Sequence, residues 1–289
     1  MKKSVLFLPL LLATAALASC ASGNNENTIT ICASELPHAK ILKEAIAPVL
    51  KEKGYSLDVR VLDWTQQNAA VAAGEYDANY FQHQPYLDTY NLDAGNDGKL
   101  QMVVKAHFEK LCLYAANVDD KVLDDGEKIE IVNDVSNIER ALLLLKDHGI
   151  LESISSDCYD AEGNFVSFDV NNPGSKVTFA EGYTRCTITC IKESNLAKSL
   201  PDYNFGVIPG NAALTGLGED YATRIVFGEN VTEEILSLRA NGVAVKPSNA
   251  KSPKTLALVE AFAKTEVKNY IQSTFGESVV YHYENLLEK

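Results

Sequence analysis

The sequence contains none of the short motifs that mark the common enzyme classes. It has no Gly-x-Ser-x-Gly nucleophile elbow, no Walker phosphate loop, no His-Glu-x-x-His zinc motif and no Gly-x-Gly-x-x-Gly dinucleotide loop. The histidines show no spacing typical of metal ligands; they are His38, His83, His107, His148 and His282. We therefore predict that the protein has no catalytic activity, no metal site and no cofactor.

Positive charge is also scarce. The chain has 26 lysine and arginine residues against 39 aspartate and glutamate residues, a formal net charge of -13. Loss of an N-terminal segment that contains Lys2 and Lys3 would bring the charge to -15. So acidic a protein is poorly suited to bind nucleic acid or broad anionic lipid surfaces. The total does not identify a small ligand, because a few local groups decide which charge a binding site accepts.

Long apolar runs are missing outside the N-terminus. The N-terminal run, Val5 to Leu17, is itself too short to span a bilayer and is followed by no stop-transfer pattern. Lys2 and Lys3 precede it, and Ala18-Ser19-Cys20 follows it. This segment resembles the signal sequence and lipobox of a bacterial lipoprotein, because it has a positive start, an apolar middle, small residues and a cysteine in that order.

We predict from this pattern that residues 1–19 are a signal peptide and that Cys20 is lipidated and becomes the N-terminus. Residues 20–27 would then form a small polar tether between the acyl chains and the folded body. Several acyl chains anchor a protein stably, so the expected location is the extracytoplasmic face of the cell membrane. The alternative is an ordinary secretory signal with a cysteine there by chance.

The cysteine count is odd once Cys20 is lipidated, which leaves at least one free thiol or an intermolecular partner. Cys186 and Cys190 flank a β-branched segment that reads as a strand. On a strand they would lie about 13 Å apart on one face, too far to share a zinc ion or a disulfide. We predict buried packing for both.

Apolar β-branched stretches alternate with amphipathic segments along the start of the body. The predicted elements are strands at 28–33, 57–62 and 77–81, with helices at 39–51 and 66–73. This β-α-β-α-β order predicts an α/β fold with a parallel, doubly wound sheet and right-handed crossovers.

The rest of the chain shows a second α/β pattern. It comprises strands near 128–132, 186–191 and 203–208, a helix at 137–148, a small hairpin turn at 160–164, a late strand at 242–245 and a long helix at 253–269. We predict two lobes, residues 28–117 plus 242–289 and residues 118–241. The ligand cleft would lie between the lobes, at the carboxyl ends of strands.

An aromatic segment follows the third predicted strand, Asn79-Tyr-Phe-Gln-His-Gln-Pro-Tyr86. Trp64, the only tryptophan, lies just after the second strand. Two strand ends therefore bring aromatic side chains to one edge of the cleft, where they could line a pocket or pack in the core. Such a pocket would suit an apolar or thioether side chain, because sulfur contacts aromatic rings favourably.

Three segments together are similar to the MetQ/NlpA lipoproteins, the substrate-binding components of methionine ABC transporters. They are Leu36-Pro-His-Ala-Lys-Ile-Leu42, Gly74-Glu-Tyr-Asp-Ala-Asn-Tyr-Phe-Gln-His-Gln-Pro-Tyr-Leu87 and Arg140-Ala-Leu-Leu-Leu-Leu145. The resemblance covers nearly the whole mature chain. It implies a two-lobed periplasmic-binding-protein fold of type II, each lobe a sheet flanked by helices. It also implies a methionine-type amino acid between the lobes, an ABC permease with its ATPase as partner, and a monomer.

The resemblance also implies roles for individual residues. Arg140 would hold the ligand carboxylate, for which a guanidinium fork is well suited, aided by the helix N-terminus that follows Asn133-Asp134. Asn211 and Asn241 resemble the asparagines that would bind the carboxylate or the ammonium group. The side-chain pocket would be walled by Trp64, Phe81, His83 and Tyr86.

The chain departs from the family pattern near this site. Val132 and Ala212 stand where proline and tyrosine are usual, and Trp64 stands where tyrosine is usual. Leu238-Arg239-Ala240 replaces a Pro-Tyr-type segment before Asn241. The changes at Ala212 and Trp64 lie at the predicted pocket and could alter which ligand it binds.

Three alternatives therefore stay open at the level of sequence. The same fold could bind another amino acid or a methionyl dipeptide. The chain could be a surface adhesin that keeps the binding fold as a scaffold. It could also be an enzyme on this fold, with His83 as the one candidate acid–base group.

Overall fold

The computed structural model describes residues 27–95, 98–276 and 279–288, without the side chains of residues 219 and 220. The predicted signal peptide, the lipidation at Cys20 and nearly all of the tether lie outside the described residues. Within those residues, none of the helices combines the length and the apolar character needed to cross a bilayer.

The chain alternates strands and helices, as the sequence predicts. The strands are β1 Thr28–Ala33, β2 Ser56–Val61, β3 Ala78–His83, β4 Gln101–Glu109, β5 Cys112–Ala115, β6 Lys128–Val132, β7 Leu151–Ile154, β8 Val177–Phe179, β9 Thr187–Ile191, β10 Phe205–Ile208, β11 Ile225–Gly228, β12 Asn241–Val245 and β13 Val279–Asn285. The α-helices are α1 Ala47–Glu52, α2 Trp64–Ala73, α3 Gln84–Asp93, α4 Val135–Asp147, α5 Glu193–Ser199, α6 Gly210–Gly216, α7 Glu233–Arg239, α8 Pro253–Phe262 and α9 Thr265–Phe275.

The first sheet has six strands in the order β13-β4-β12-β3-β1-β2. Strand β1 pairs in parallel with β2 and β3, as the β-α-β-α-β pattern predicts. Strand β12 pairs antiparallel with both β3 and β4, and β13 pairs antiparallel with β4. The sheet is therefore mixed, because strands from the C-terminal part of the chain return to it in the opposite direction.

The second sheet has five strands in the order β11-β5-β10-β6-β9. Strand β6 is parallel to β9 and β10, whereas β5 is antiparallel to β10 and β11. The chain passes from the first sheet to the second between β4 and β5, and it returns between β11 and β12. The predicted lobe limits at residues 117 and 241 stay a prediction.

Each sheet has an apolar core of its own beneath flanking helices. Ile31 of β1, Ile46 and Phe262 are buried in the first core. Ile131 of β6 and Leu142 of α4 are buried in the second. The predicted α/β fold, with two sheets that are each flanked by helices, is confirmed.

Two predicted helices differ in detail. The helix expected at 253–269 is two helices, α8 and α9, because Lys264 adopts extended backbone angles between them. The helix expected at 39–51 is preceded and partly replaced by short π-type stretches at Glu35–Ala39 and Leu42–Ile46 before α1, and Leu36 in the first stretch has extended backbone angles. The break at Lys264 carries no glycine or proline signal, whereas the earlier segment contains Pro37, a residue type that suits the first turn of a helix.

Candidate ligand-binding site

A cleft between the two sheets contains about 490 Å³ of empty space, open solvent included. All seven side chains predicted for the ligand site line it: Trp64, Phe81, His83, Tyr86, Arg140, Asn211 and Asn241. Five lining residues were not predicted: Gln82, Glu109, Asn137, Glu193 and Pro209. The ligand contacts of these residues stay predictions, but the structure brings the whole predicted set to one place.

The strand order explains this convergence. Strand β3 ends in Phe81-Gln82-His83 at the cleft, and α3 begins directly after it. From the second sheet, β6 and β10 run parallel and are followed at the cleft by α4 and α6. Carboxyl ends of parallel strands form the usual ligand edge of an α/β sheet.

Aromatic rings form one wall of the cleft. Tyr86 meets Trp64 edge to face at 5.4 Å between ring centroids, and it meets Phe81 in the same way at 5.5 Å. The indole Nε1 of Trp64 is buried and has no hydrogen-bond partner among the described residues. The wall is therefore an apolar, polarisable surface with one unused donor at its edge.

His83 joins the two sides of the cleft. Its Nδ1 accepts a hydrogen bond from the Tyr86 backbone N–H at 3.2 Å, so its Nε2 carries the proton that it donates to Asn137 Oδ1, also at 3.2 Å. Burial, together with the positive charges of Arg239 and Arg140, lowers the pKa of His83 to about 3. The imidazole is thus a neutral bridge from β3 to α4.

Arg140 is buried, with 7% of its surface exposed, and Glu229 is its main partner. Its Nε and Nη2 donate to the two carboxylate oxygens of Glu229 at 2.5 Å each, and Nη2 also donates to the carbonyl oxygen of Glu109 at 2.7 Å. No hydrogen bond from Nη1 to another described residue is formed. One edge of the guanidinium is therefore occupied within the protein, and Nη1 is the donor that remains for a ligand.

The N-terminus of α4, where the sequence suggested an anion site, already has a carboxylate of the protein beside it. Asp134 caps this helix, and its carboxylate accepts a hydrogen bond from the Asn137 backbone N–H at 3.0 Å. A carboxylate of the protein itself thus occupies the position where a ligand carboxylate was expected to gain from the helix dipole. Arg140 lies further along the helix, and a contribution of the helix terminus to carboxylate binding stays a prediction.

Glu109 lies at the floor of the cleft and is already well supplied with donors. Its Oε1 accepts from His107 Nε2 at 2.8 Å and from Asn241 Nδ2 at 3.3 Å, and His38 Nε2 lies 3.2 Å away. Burial raises the pKa of this carboxyl group. Its contacts fix the position of Asn241 at the start of β12.

His38, His107 and Glu109 could together be metal ligands, since their ligand atoms lie within 4.8 Å of one another. However, both nitrogens of His107 are engaged, one with Glu109 and the other with the Tyr80 hydroxyl. The chain from Tyr80 through His107 to Glu109 is complete without a metal ion. The arrangement fits a support for the Glu109 carboxylate better than a metal centre.

Asn211 and Glu193 form a pair on the second-sheet side of the cleft. The Asn211 Nδ2 donates to Glu193 Oε1 at 2.7 Å. The pKa of Glu193 is raised to about 8, mainly by burial. The negative charges of Asp134, Glu109 and Asp63 act in the same direction, and the hydrogen bond from Asn211 opposes them. Glu193 directly follows the carboxyl end of β9 and Lys192, and that position was the sequence signal that could have identified it.

Behind the aromatic wall, three buried amides support β3. Gln82 Nε2 donates to Asn68 Oδ1 at 2.7 Å and to Asn79 Oδ1 at 3.0 Å, while Asn68 Nδ2 donates back to Gln82 Oε1 at 2.9 Å. Buried polar networks of this kind hold their members in one arrangement when every group is paired. They place Phe81 and His83, the neighbours of Gln82, in the cleft.

Several known proteins are similar to this chain along most of its length. The sequence profile of the NlpA lipoproteins matches residues 29–164. The methionine-binding lipoprotein MetQ of Bacillus subtilis is 29% identical, over 97% of this chain and 98% of that protein. The D-methionine-binding lipoprotein MetQ of Salmonella typhi is 32% identical, over 82% of each chain. The chain belongs to the NlpA lipoprotein family.

A solved structure agrees with this membership. A nutrient-binding protein from Burkholderia cenocepacia, determined with methionine bound, has a TM-score of 0.74 and 27% identity, over 88% of this chain and 99% of that one. The family and the binding-protein fold that the resemblance implied are confirmed. NlpA lipoproteins are substrate-binding proteins, which is not an enzyme class.

Proposed function

We propose that this NlpA lipoprotein captures methionine, or a close analogue, in the cleft and delivers it to an ABC permease and its ATPase. The observation that carries the proposal is the convergence of all seven predicted ligand residues, from both sheets, on one cleft. Methionine-binding relatives and a methionine-bound structural neighbour support the same ligand class.

The cleft offers a partner for each part of an amino acid. Nη1 of Arg140 can donate to the ligand carboxylate, and amide groups of Asn211 and Asn241 can add to that contact. The rings of Trp64 and Tyr86 suit a thioether side chain. A neutral His83 adds no charge beside the apolar side chain of the ligand.

Contacts across the cleft indicate how a ligand would be enclosed. His83 reaches Asn137 of α4, and Arg239 Nη1 donates to the carbonyl oxygen of Ser136 at 3.1 Å. The first of these hydrogen bonds joins β3 to α4 across the cleft, whereas Arg239 and Ser136 both belong to the predicted second lobe. We expect the hydrogen bond between His83 and Asn137 to form on lobe closure, which would bury the ligand and present a closed face to the permease.

The N-terminal pattern completes the proposal. Lipidation of Cys20 would anchor a monomeric body to the extracytoplasmic face of the membrane by its acyl chains. That location fits a protein that collects a nutrient before transport and carries out no turnover.

The first experiment is thermal unfolding of the soluble body from Ala21 onward, after one cycle of unfolding and refolding to remove carried-over ligand. A ligand at a thousand times its dissociation constant adds about 4 kcal/mol of stability, or roughly ten degrees in Tm for a protein of this size. We expect a large shift with methionine-like compounds among the L-amino acids, D-methionine and methionyl dipeptides. No shift with any of them would overturn the proposal and bring the adhesin alternative forward.

A methionyl dipeptide is a second candidate ligand because the cleft continues into a neighbouring cavity. Trp64, Glu193 and Asn211 line both spaces, and the neighbouring one contains about 1050 Å³ of empty space, open solvent included. A second residue of the ligand could extend in that direction. A larger Tm shift with a methionyl dipeptide than with methionine would favour it.

A further inference from the structure

Two carboxyl groups face the cleft, and they differ in how many donors they already have. Oε1 of Glu109 accepts from both His107 and Asn241. Glu193 accepts one hydrogen bond, from Asn211, and no other from the residues that the structure describes. A carboxylate can accept about four hydrogen bonds, so Glu193 retains capacity for a ligand.

Glu193 also lies apart from the arginine of the site. It shares the cleft and the neighbouring cavity with Trp64, whereas Arg140 lines the cleft but not that cavity. The groups that act electrostatically on Glu193 are the acidic residues Asp134, Glu109 and Asp63. The cleft is therefore lined by a guanidinium and by a carboxyl group that forms no salt bridge with any residue that the structure describes.

The net charge of the cleft favours a cation beside Glu193. Arg140 is already paired with Glu229, so it does not compensate Glu193. The nearby Lys192 has its Nζ 3.9 Å from Asp63. A positively charged group that enters beside Glu193 would find an acceptor with unused capacity and the aromatic rings of Trp64 and Tyr86, which attract cations by their faces.

We propose that Glu193 is a specificity-determining residue that accepts a positively charged group of the bound amino acid. This inference rests on the proposed function and names a residue that the family resemblance did not supply. The group could be the ligand's α-ammonium or a cationic side chain such as a sulfonium. In either case the O–H bond of a protonated Glu193 breaks, its proton passes to the solvent, and the carboxylate pairs with the cation.

Because binding releases this proton from Glu193, the affinity for the ligand depends on pH. Since the pKa of Glu193 is raised to about 8 without a ligand, binding at pH 6 must release the proton, and binding above pH 8 need not. We expect the affinity to rise by up to about tenfold per pH unit between pH 6 and 8. The groups that face Glu193 are Asp134, Asp63, Glu109, the Asn211 amide and the Tyr86 hydroxyl. His83 stays neutral throughout this range.

The test is titration calorimetry of methionine and S-methylmethionine binding at pH 6, 7 and 8. The proteins are the wild type, Glu193→Gln and the control Glu181→Gln, which removes an exposed carboxylate outside the cleft. Glutamine keeps an oxygen for Asn211, so we expect the Tm of Glu193→Gln to stay near that of the wild type. Repeating the titration at pH 6 in buffers of different ionisation enthalpy counts the protons released.

We expect Glu193→Gln to weaken binding tenfold or more at pH 8 and to lose both the pH dependence and the proton release, while Glu181→Gln changes neither. Equal weakening for both ligands identifies the α-ammonium as the partner, and weakening for S-methylmethionine alone identifies the side chain. If Glu193→Gln bound the ligands with the affinity and pH dependence of the wild type, this inference would be overturned and the proposed function would be unaffected. If the wild type bound neither ligand, the proposed function would fail as well.

Discussion

Replacement of Arg140 by alanine perturbs the cleft and the fold at the same time, and the structure separates the two effects. The Arg140 and Glu229 side chains are 8% and 11% exposed, so they form a buried pair. Removal of one partner of such a pair costs about 3–5 kcal/mol, because the other charge stays buried and unpaired. Glu229 would keep one donor, the Leu111 backbone N–H at 2.8 Å. We therefore expect the free energy of unfolding to fall by about 3 kcal/mol, the lower end of that range.

Binding should respond differently from stability. If Arg140 holds the ligand carboxylate as proposed, Arg140→Ala removes that guanidinium donor, and we expect no measurable binding by calorimetry. The double variant Arg140→Met/Glu229→Gln removes both charges and keeps an acceptor for Leu111. Because no charge is left unpaired, we expect it to recover about 2 kcal/mol of the lost stability. We do not expect it to recover binding.

The assays are urea unfolding for stability and calorimetry for binding, on the same preparations. Arg140→Ala that binds methionine within threefold of the wild type would refute the carboxylate role. Recovery of binding in the double variant would show that Arg140 acts on affinity only through the fold.

Three further predictions follow. Burial raises the pKa of Glu130 from 4.5 to about 7, so the folded state binds more protons between these values and stability falls as pH rises through them. We therefore expect the free energy of unfolding of Glu130→Gln, measured relative to the wild type by urea unfolding, to be about 1–3 kcal/mol higher at pH 8 than at pH 5. An equal difference at both pH values would contradict this. A Cβ at Gly242 would overlap the Val104 carbonyl oxygen, so Gly242→Ala should lose about 1–3 kcal/mol; an unchanged urea midpoint would count against it. Trp64→Tyr removes the indole N–H, which has no hydrogen-bond partner among the described residues. We expect stability to stay within about 1 kcal/mol and the order of ligand affinities in a Tm-shift panel to change; an unchanged order would be the contrary result.

Local patterns predicted the fold well where a single segment carries the information. The apolar face of α4 and the glycine at its end, Gly149 with φ of +74°, needed no long-range knowledge. The break between α8 and α9 was missed because Ala263 and Lys264 are compatible with a continuous helix. The edge strand β13 was missed because its strand state depends on its pairing with β4.

The predicted part of the site followed from strand order and family motifs. Parallel strands place their carboxyl ends together, so Phe81 and His83 could be assigned to the cleft from sequence. The role of Glu193 in the cleft could not be predicted from sequence in this way, since it depends on the hydrogen bond from Asn211 and on the acidic groups around it. These neighbours come from four separate segments of the chain: Asp63 and Asp134 precede α2 and α4, Glu109 ends β4, and Asn211 lies in α6.

The sequence by itself determined the alternation of strands and helices, the order of the elements, the lipoprotein-type N-terminus and the candidate ligand residues. All of these rest on short-range periodicity or on motifs of a few residues. Only the tertiary structure decided that Arg140 shares its guanidinium with Glu229, 89 residues away, and that Asp134 occupies the terminus of α4. Charge pairing and burial act through space between distant segments, and they decide which polar atoms of the cleft stay available to a ligand.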